Sequence, residues 1–164
     1  MKKLLFLIFL VPMMLQAQDN PLDIFKPLEN HTWEAEGLWG DGSTFKQEIS
    51  IEFSLDGKIV KVQSMGYTDK DKTEFGLRNE GIRHYDSTTN TIKFWEFDVF
   101  GGLTEGTVKA EGRDLIYSYE YGGTHLTEMW IYKDEQTYAY VVGIYDNGEW
   151  KQKFLETEFR RKKQ

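Results

Sequence analysis

From Thr44 to Ser54 the chain alternates with a period of two. Phe45, Ile49, Ile51 and Phe53 fall on one side, and Lys46, Glu48, Ser50 and Glu52 on the other. A helix would scatter these residues around its axis, whereas a strand with one buried face collects them. Related patterns recur at His31–Trp39, Lys58–Tyr67, Gly76–Asp86, Thr91–Val99, Leu103–Glu111, Asp114–Tyr121, His125–Lys133, Thr137–Tyr145 and Glu149–Arg160. Between them lie turn formers such as Asp41-Gly42, Asp56-Gly57, Gly101-Gly102, Gly122-Gly123 and Asn147-Gly148. Gly and Asn accept positive φ there, and gaps this short suit hairpins between antiparallel neighbours. Parallel pairing would need crossover helices that the sequence lacks. The expected fold is therefore all-β, a single antiparallel up-and-down β-barrel of about ten strands, since closure best hides sheet edges.

Ahead of the strands, Leu22, Phe25 and Leu28 recur at a helical spacing that Pro27 limits to a turn or two. This predicts a short N-terminal helix acting as a plug or lid. Farther back, Met1-Lys2-Lys3, the apolar run Leu4 to Leu15 and the small Ala17 have the grammar of a cleavable signal peptide. The expected division is 1–17 signal peptide and 18–164 barrel, exported to a periplasmic or extracellular compartment. Cleavage removes two Lys and no acid, taking the net charge from −7 to −9. An acidic chain without basic blocks is a poor partner for nucleic acid or anionic membranes. With no Cys there is no disulfide, thiolate metal site or Cys nucleophile.

Several segments resemble the lipocalin-like, or calycin, β-barrels, close to uncharacterised secreted bacterial members. Leu28-x-x-x-x-Trp33 after a short helix looks like the start of strand one in that group. Gly81-Ile82-Arg83-x-Tyr85-Asp86, Phe94-Trp95-Glu96 and Gly102-x-Thr104-Glu105-Gly106 look like its secreted domains. The resemblance implies a barrel whose Trp33 packs at the floor against Arg160 or Arg161. It also implies an interior that takes a small hydrophobic molecule, or heme in one branch. That branch uses a His late in the chain, whereas His125 is the last one here. No cofactor is expected. The three histidines, His31, His84 and His125, lack metal-ligand spacing, and no hydrolase, P-loop or dinucleotide motif is present.

Candidate ligand-binding residues are Arg83, Trp95, Glu96, Glu105, Tyr117, Tyr119, Trp130 and Tyr138. Phe94-Trp95-Glu96-Phe97-Asp98 is apolar on both faces, so one of its acids must lie near an apolar surface, where a carboxyl pKa rises. Arg83, one hairpin away, could hold a ligand's acidic head or pair with Glu96 across the sheet. Glu105 is placed to line the mouth. Tyr117, Tyr119 and Tyr121 share one strand face, and Tyr138 and Tyr140 another. With Trp130 and Trp150 they make an aromatic cavity if inward, a docking surface if outward, or ordinary core packing. The leading expectation is a barrel binding a small hydrophobic or amphipathic molecule. Alternatives are an enzyme using Glu96 or Glu105 with Arg83, a non-catalytic partner-binding module, and an outer-membrane barrel. The last is opposed by charges on both faces of the final strand, Lys151 and Lys153 against Glu156 and Glu158.

Overall fold

The computed structural model describes residues 20–163, so the expected signal peptide lies outside the described residues. Ten strands follow in order: β1 (Thr32–Leu38), β2 (Thr44–Ser54), β3 (Ile59–Tyr67), β4 (Phe75–Asp86) and β5 (Thr91–Asp98), then β6 (Leu103–Glu111), β7 (Asp114–Tyr121), β8 (Thr124–Asp134), β9 (Thr137–Asp146) and β10 (Glu149–Arg161). Each pairs antiparallel with its sequence neighbour, and β10 returns to β1 to close the barrel. Every expected strand is present, with ends displaced by at most one residue. The hairpin chemistry explains that accuracy. Asn147 (φ 51°) and Gly148 (φ 82°), for example, both take the left-handed conformation that a tight β9–β10 turn requires.

Pro21–Leu28 forms a 3₁₀ helix across one end of the barrel. With three residues per turn, Leu22, Phe25 and Leu28 line up in one row, and all three are fully buried. The Asn20 side chain caps the helix by accepting the Leu22 N–H at 3.1 Å, and donates to the Gly57 carbonyl at 2.8 Å. The plug is thereby tied to the β2–β3 turn. Above it, Trp33 is fully buried, donates its indole N–H to the Leu28 carbonyl at 3.1 Å and meets the edge of Tyr138. Trp130 stacks on Phe159 with ring centroids 4.3 Å apart. This end is the floor.

The expected Trp–Arg stack at the floor is absent among the described residues. Arg161 is the register partner of Trp33 on β10, but Tyr138 takes the ring, and Arg160 pairs with Glu158 on the outer wall. The β1–β10 seam is the least regular ladder. It holds two register pairs, Trp33 with Arg161 and Glu34 with Arg160, and then an isolated bridge from Trp39 to Leu155. The Thr157 hydroxyl spans part of the interval by donating to the Glu36 carbonyl at 2.6 Å.

Candidate functional site

Register decides which side chains meet inside. Phe94 lies opposite Arg83, and Glu96 lies opposite Gly81, so β4 and β5 send an arginine and a carboxylate inward on a diagonal. Gly81 is what lets them meet. A Cβ there would stand 2.6 Å from Arg83 Nη1 and 2.7 Å from Glu96 Cγ. In its absence the guanidinium lies along the strand and donates from Nη2 to Glu96 Oε1. Arg83 is 3% exposed, and its charge sits over the rings of Phe94 and Tyr117 at 5.4 and 5.3 Å. Burial opposes that charge, but Tyr117 and Glu96 outweigh it and hold the guanidinium more firmly protonated than usual. Its Nε and Nη1 atoms have no hydrogen-bond acceptor among the described residues.

A second carboxylate completes the cluster, and sequence reasoning missed it. Glu128 on β8 sits across from Tyr117 on β7 and Val142 on β9, and accepts the Trp130 indole N–H at 3.1 Å. Burial pushes its pKa up to about 7, and the neighbouring Glu96 charge adds to the shift. Donors from Trp130 and Tyr140, together with Arg83, oppose it without cancelling it. The signal was present in the alternation, because Leu126, Glu128 and Trp130 occupy consecutive positions on the inward face of β8. A lone acid on an otherwise apolar inward face marks a polar interior site.

Glu96, Glu128 and Tyr117 form the deep end of a cavity of about 900 Å³ that opens opposite the floor. Phe94, Tyr117, Tyr119 and Tyr140 give it aromatic walls, with Glu96 and Glu128 between them. Beneath lies a chamber of about 40 Å³, lined among others by Arg83, Ser64, Ile49 and Trp130. Burial and then the adjacent Glu128 drive the Tyr119 and Tyr140 pKa values upward, so both hydroxyls stay neutral donors. At the rim, the cationic side chains are already engaged. Lys46 pairs with Glu36, Lys153 pairs with Glu156, Lys72 donates to the Thr44 carbonyl, and Arg78 donates to the Tyr67 carbonyl.

Of the residues singled out from sequence, Glu96, Tyr117 and Tyr119 line this cavity, and Arg83 lies in the chamber beneath it, in contact with Glu96. Trp130 also points inward but lines only the lower chamber, and Tyr138 is wedged against Trp33 in the floor. Trp95 and Glu105 need correction. They face each other across β5 and β6 on the outer wall, where the Trp95 indole donates to Glu105 at 3.1 Å. Once Phe94 and Glu96 point in, the period of two forces Trp95 out, and Glu105 is its register partner. Tyr121 shares the inward face of Tyr117 and Tyr119 but stands at the rim, 64% exposed. The outer wall also carries an exposed apolar pair, Phe97 opposite Leu103. Among the described residues no group of three His, Asp or Glu is placed to hold a metal ion.

The sequence matches no protein-family model, and no curated protein matches it. Among solved structures, the chain is similar to a de novo designed fluorescence-activating β-barrel, at 13% identity and a TM-score of 0.45. The match covers 85% of this chain and 98% of that one.

Proposed function

We propose that this chain is an exported, calycin-like barrel that binds a small hydrophobic or amphipathic molecule in its interior. The observation that carries this reading is the cavity itself. It has about 900 Å³ of space, aromatic walls and a polar cluster at its deep end, matching the size and lining of small-molecule sites. The closed floor supports it, since a ligand entering at the mouth meets Trp130, Phe159 and Trp33 rather than a second opening. A site embedded in a lipid bilayer fits less well. One outward-facing row across four strands reads Glu52, Lys61, Ile82 and Trp95, with charges where a lipid-facing band would be apolar.

A solvatochromic apolar dye such as Nile red tests the reading, together with native mass spectrometry of protein purified from its own host. The expected result is one dye site per chain, weakened at least tenfold by Val142→Trp, which fills the cavity. Absence of both dye binding and a co-purifying small molecule would end the proposal.

A second reading has one observation in its favour. Glu128, poised near neutral pH beside Glu96, is suited to general acid catalysis. Glu105 fits the expected partnership with Arg83 poorly, because it lies opposite Trp95 on the outer face of the wall. The catalytic reading requires turnover that Glu128→Gln abolishes, and simple ligand binding requires none.

A further inference from the structure

The two carboxylates and the arginine are not equally available to a ligand. Glu96 retains 25% side-chain exposure and, with Glu128, faces the large cavity, whereas the Arg83 side chain is 4% exposed and lines only the chamber below. Phe94 and Tyr117 stack on the guanidinium, and Glu96 takes one of its N–H groups. A head group descending from the mouth therefore meets acceptors first. At the rim, Lys46 and Lys153 are paired with Glu36 and Glu156, and Lys72 and Arg78 share the cavity mouth with Asp41 and Asp69, so the rim carries no net excess of positive charge to favour an anion.

Counting charge over the cluster gives the same answer. Arg83 offsets one carboxylate, and Glu96 is the one it contacts. Glu128 has only neutral donors as direct partners, the Trp130 indole and the Tyr140 hydroxyl. A cation placed beside Glu128 would supply the missing countercharge, in a cavity also lined by the rings of Tyr119, Tyr140 and Phe94. Carboxylate plus aromatic walls is the environment that favours an organic ammonium over its neutral or anionic analogues.

On the reading of the barrel as a ligand binder, we infer that its ligand is an amphipathic organic cation, seated with a protonated amine between Glu96 and Glu128 and an apolar body toward the mouth. Arg83 is then a positioning residue that holds Glu96 in place, and the anion-binding role suggested by its residue type passes to no group in the large cavity. Because Glu128 holds a proton part of the time near neutral pH, seating the ammonium releases that proton, and affinity rises with pH through that range.

Calorimetric titration of the intact protein with decylamine, decanol and decanoate, each below its critical micelle concentration, tests this. The three share a tail and differ only in head charge. The amine is expected to bind at least tenfold more tightly than the alcohol, and the alcohol more tightly than the carboxylate. Amine binding at pH 7 should release protons, seen as a dependence of the heat on buffer ionisation enthalpy. Glu128→Gln is expected to bring amine and alcohol within threefold of each other through a loss of amine affinity. A Gln at this position keeps the shape and the Trp130 contact, and Nile red binding by the variant verifies that the cavity is intact. Tightest binding of decanoate or of decanol, or an amine preference untouched by Glu128→Gln, would overturn the inference while leaving interior binding standing. Failure of all three ligands and of the dye would overturn both.

Discussion

The two halves of the barrel use the same aromatic residue types for opposite purposes. At the floor, Trp33, Trp130, Tyr138 and Phe159 pack on one another and on the 3₁₀ plug, and Trp130 marks its upper limit by donating its indole N–H to Glu128. Toward the mouth, Phe94, Tyr117, Tyr119 and Tyr140 surround an arginine and two carboxylates and leave space. The floor exchanges water for close packing throughout, which is how a chain without disulfides stabilises a closed barrel. The mouth half keeps charges in partial burial, which stabilises little in itself and makes sense as a binding surface. Stability and function are thus separated along the barrel axis.

Mutations on either side of that division should differ in size and in pH dependence. The largest effect is expected in the floor. Trp33→Ala removes a fully buried indole and should cost about 3–5 kcal/mol of unfolding free energy, measured by urea denaturation, with no pH dependence of the loss. A loss under about 1 kcal/mol would mean that the plug and Trp33 are not the structural base of the barrel.

Next comes Arg83→Met. Removing a buried guanidinium leaves Glu96 and Glu128 uncompensated, at a cost of about 3 kcal/mol. That loss should be larger at pH 8 than at pH 5, where the carboxylates can take up protons. Equal losses at the two values would show that Arg83 acts through packing alone.

Glu128→Gln is the third test and has the opposite sign. The groups facing Glu128 are Glu96 on β5, Arg83 on β4, Tyr117 and Tyr119 on β7, and Tyr140 on β9. Unfolded, Glu128 gives up its proton near 4.5; folded, near 7. The folded chain therefore binds more protons between these values. Its contribution to stability is full below about pH 4.5 and is lost as pH rises through about 7. Relative to wild type, Glu128→Gln should match it at pH 4 and be about 2 kcal/mol more stable at pH 8. That is less than the whole shift implies, because the carboxylate keeps some surface on the cavity. Subtracting the two profiles removes ordinary acid unfolding, including that of Asp86, which Lys93 holds well below the usual carboxylate range.

Strand positions, turns, plug and closure were all legible in the sequence, because each depends on local chemistry: alternation, positive-φ turn residues and the triplet spacing of Leu22, Phe25 and Leu28. The site was legible only in part. Arg83 and Glu96 could be brought together because they lie on one hairpin. Glu128 could not be joined to them, since β8 reaches the cluster only through three further ladders and the closure of the ring. The parity of Phe94-Trp95-Glu96 was ambiguous because both faces are apolar, so the sequence alone leaves open whether Phe94 and Glu96 point inward or Trp95 does. Gly81 resolves it in the structure, as the one position opposite Glu96 where an arginine can lie flat.

The smallest expected effect is on the outer wall, where the parity of β5 can be read directly. Glu105 is exposed, and its bond from Trp95 lies in solvent. Glu105→Gln should therefore change unfolding free energy by no more than about 0.5 kcal/mol and leave dye and decylamine affinity within twofold. Quenching of Trp95 fluorescence by iodide should be efficient and unaltered by a bound ligand. Isolating that signal calls for a variant with the other four tryptophans, Trp33, Trp39, Trp130 and Trp150, replaced by phenylalanine. If instead Glu105→Gln weakened ligand binding as strongly as Glu128→Gln, β5 would be turned the other way. The division between a dry floor and a polar mouth would then have to be redrawn around Trp95.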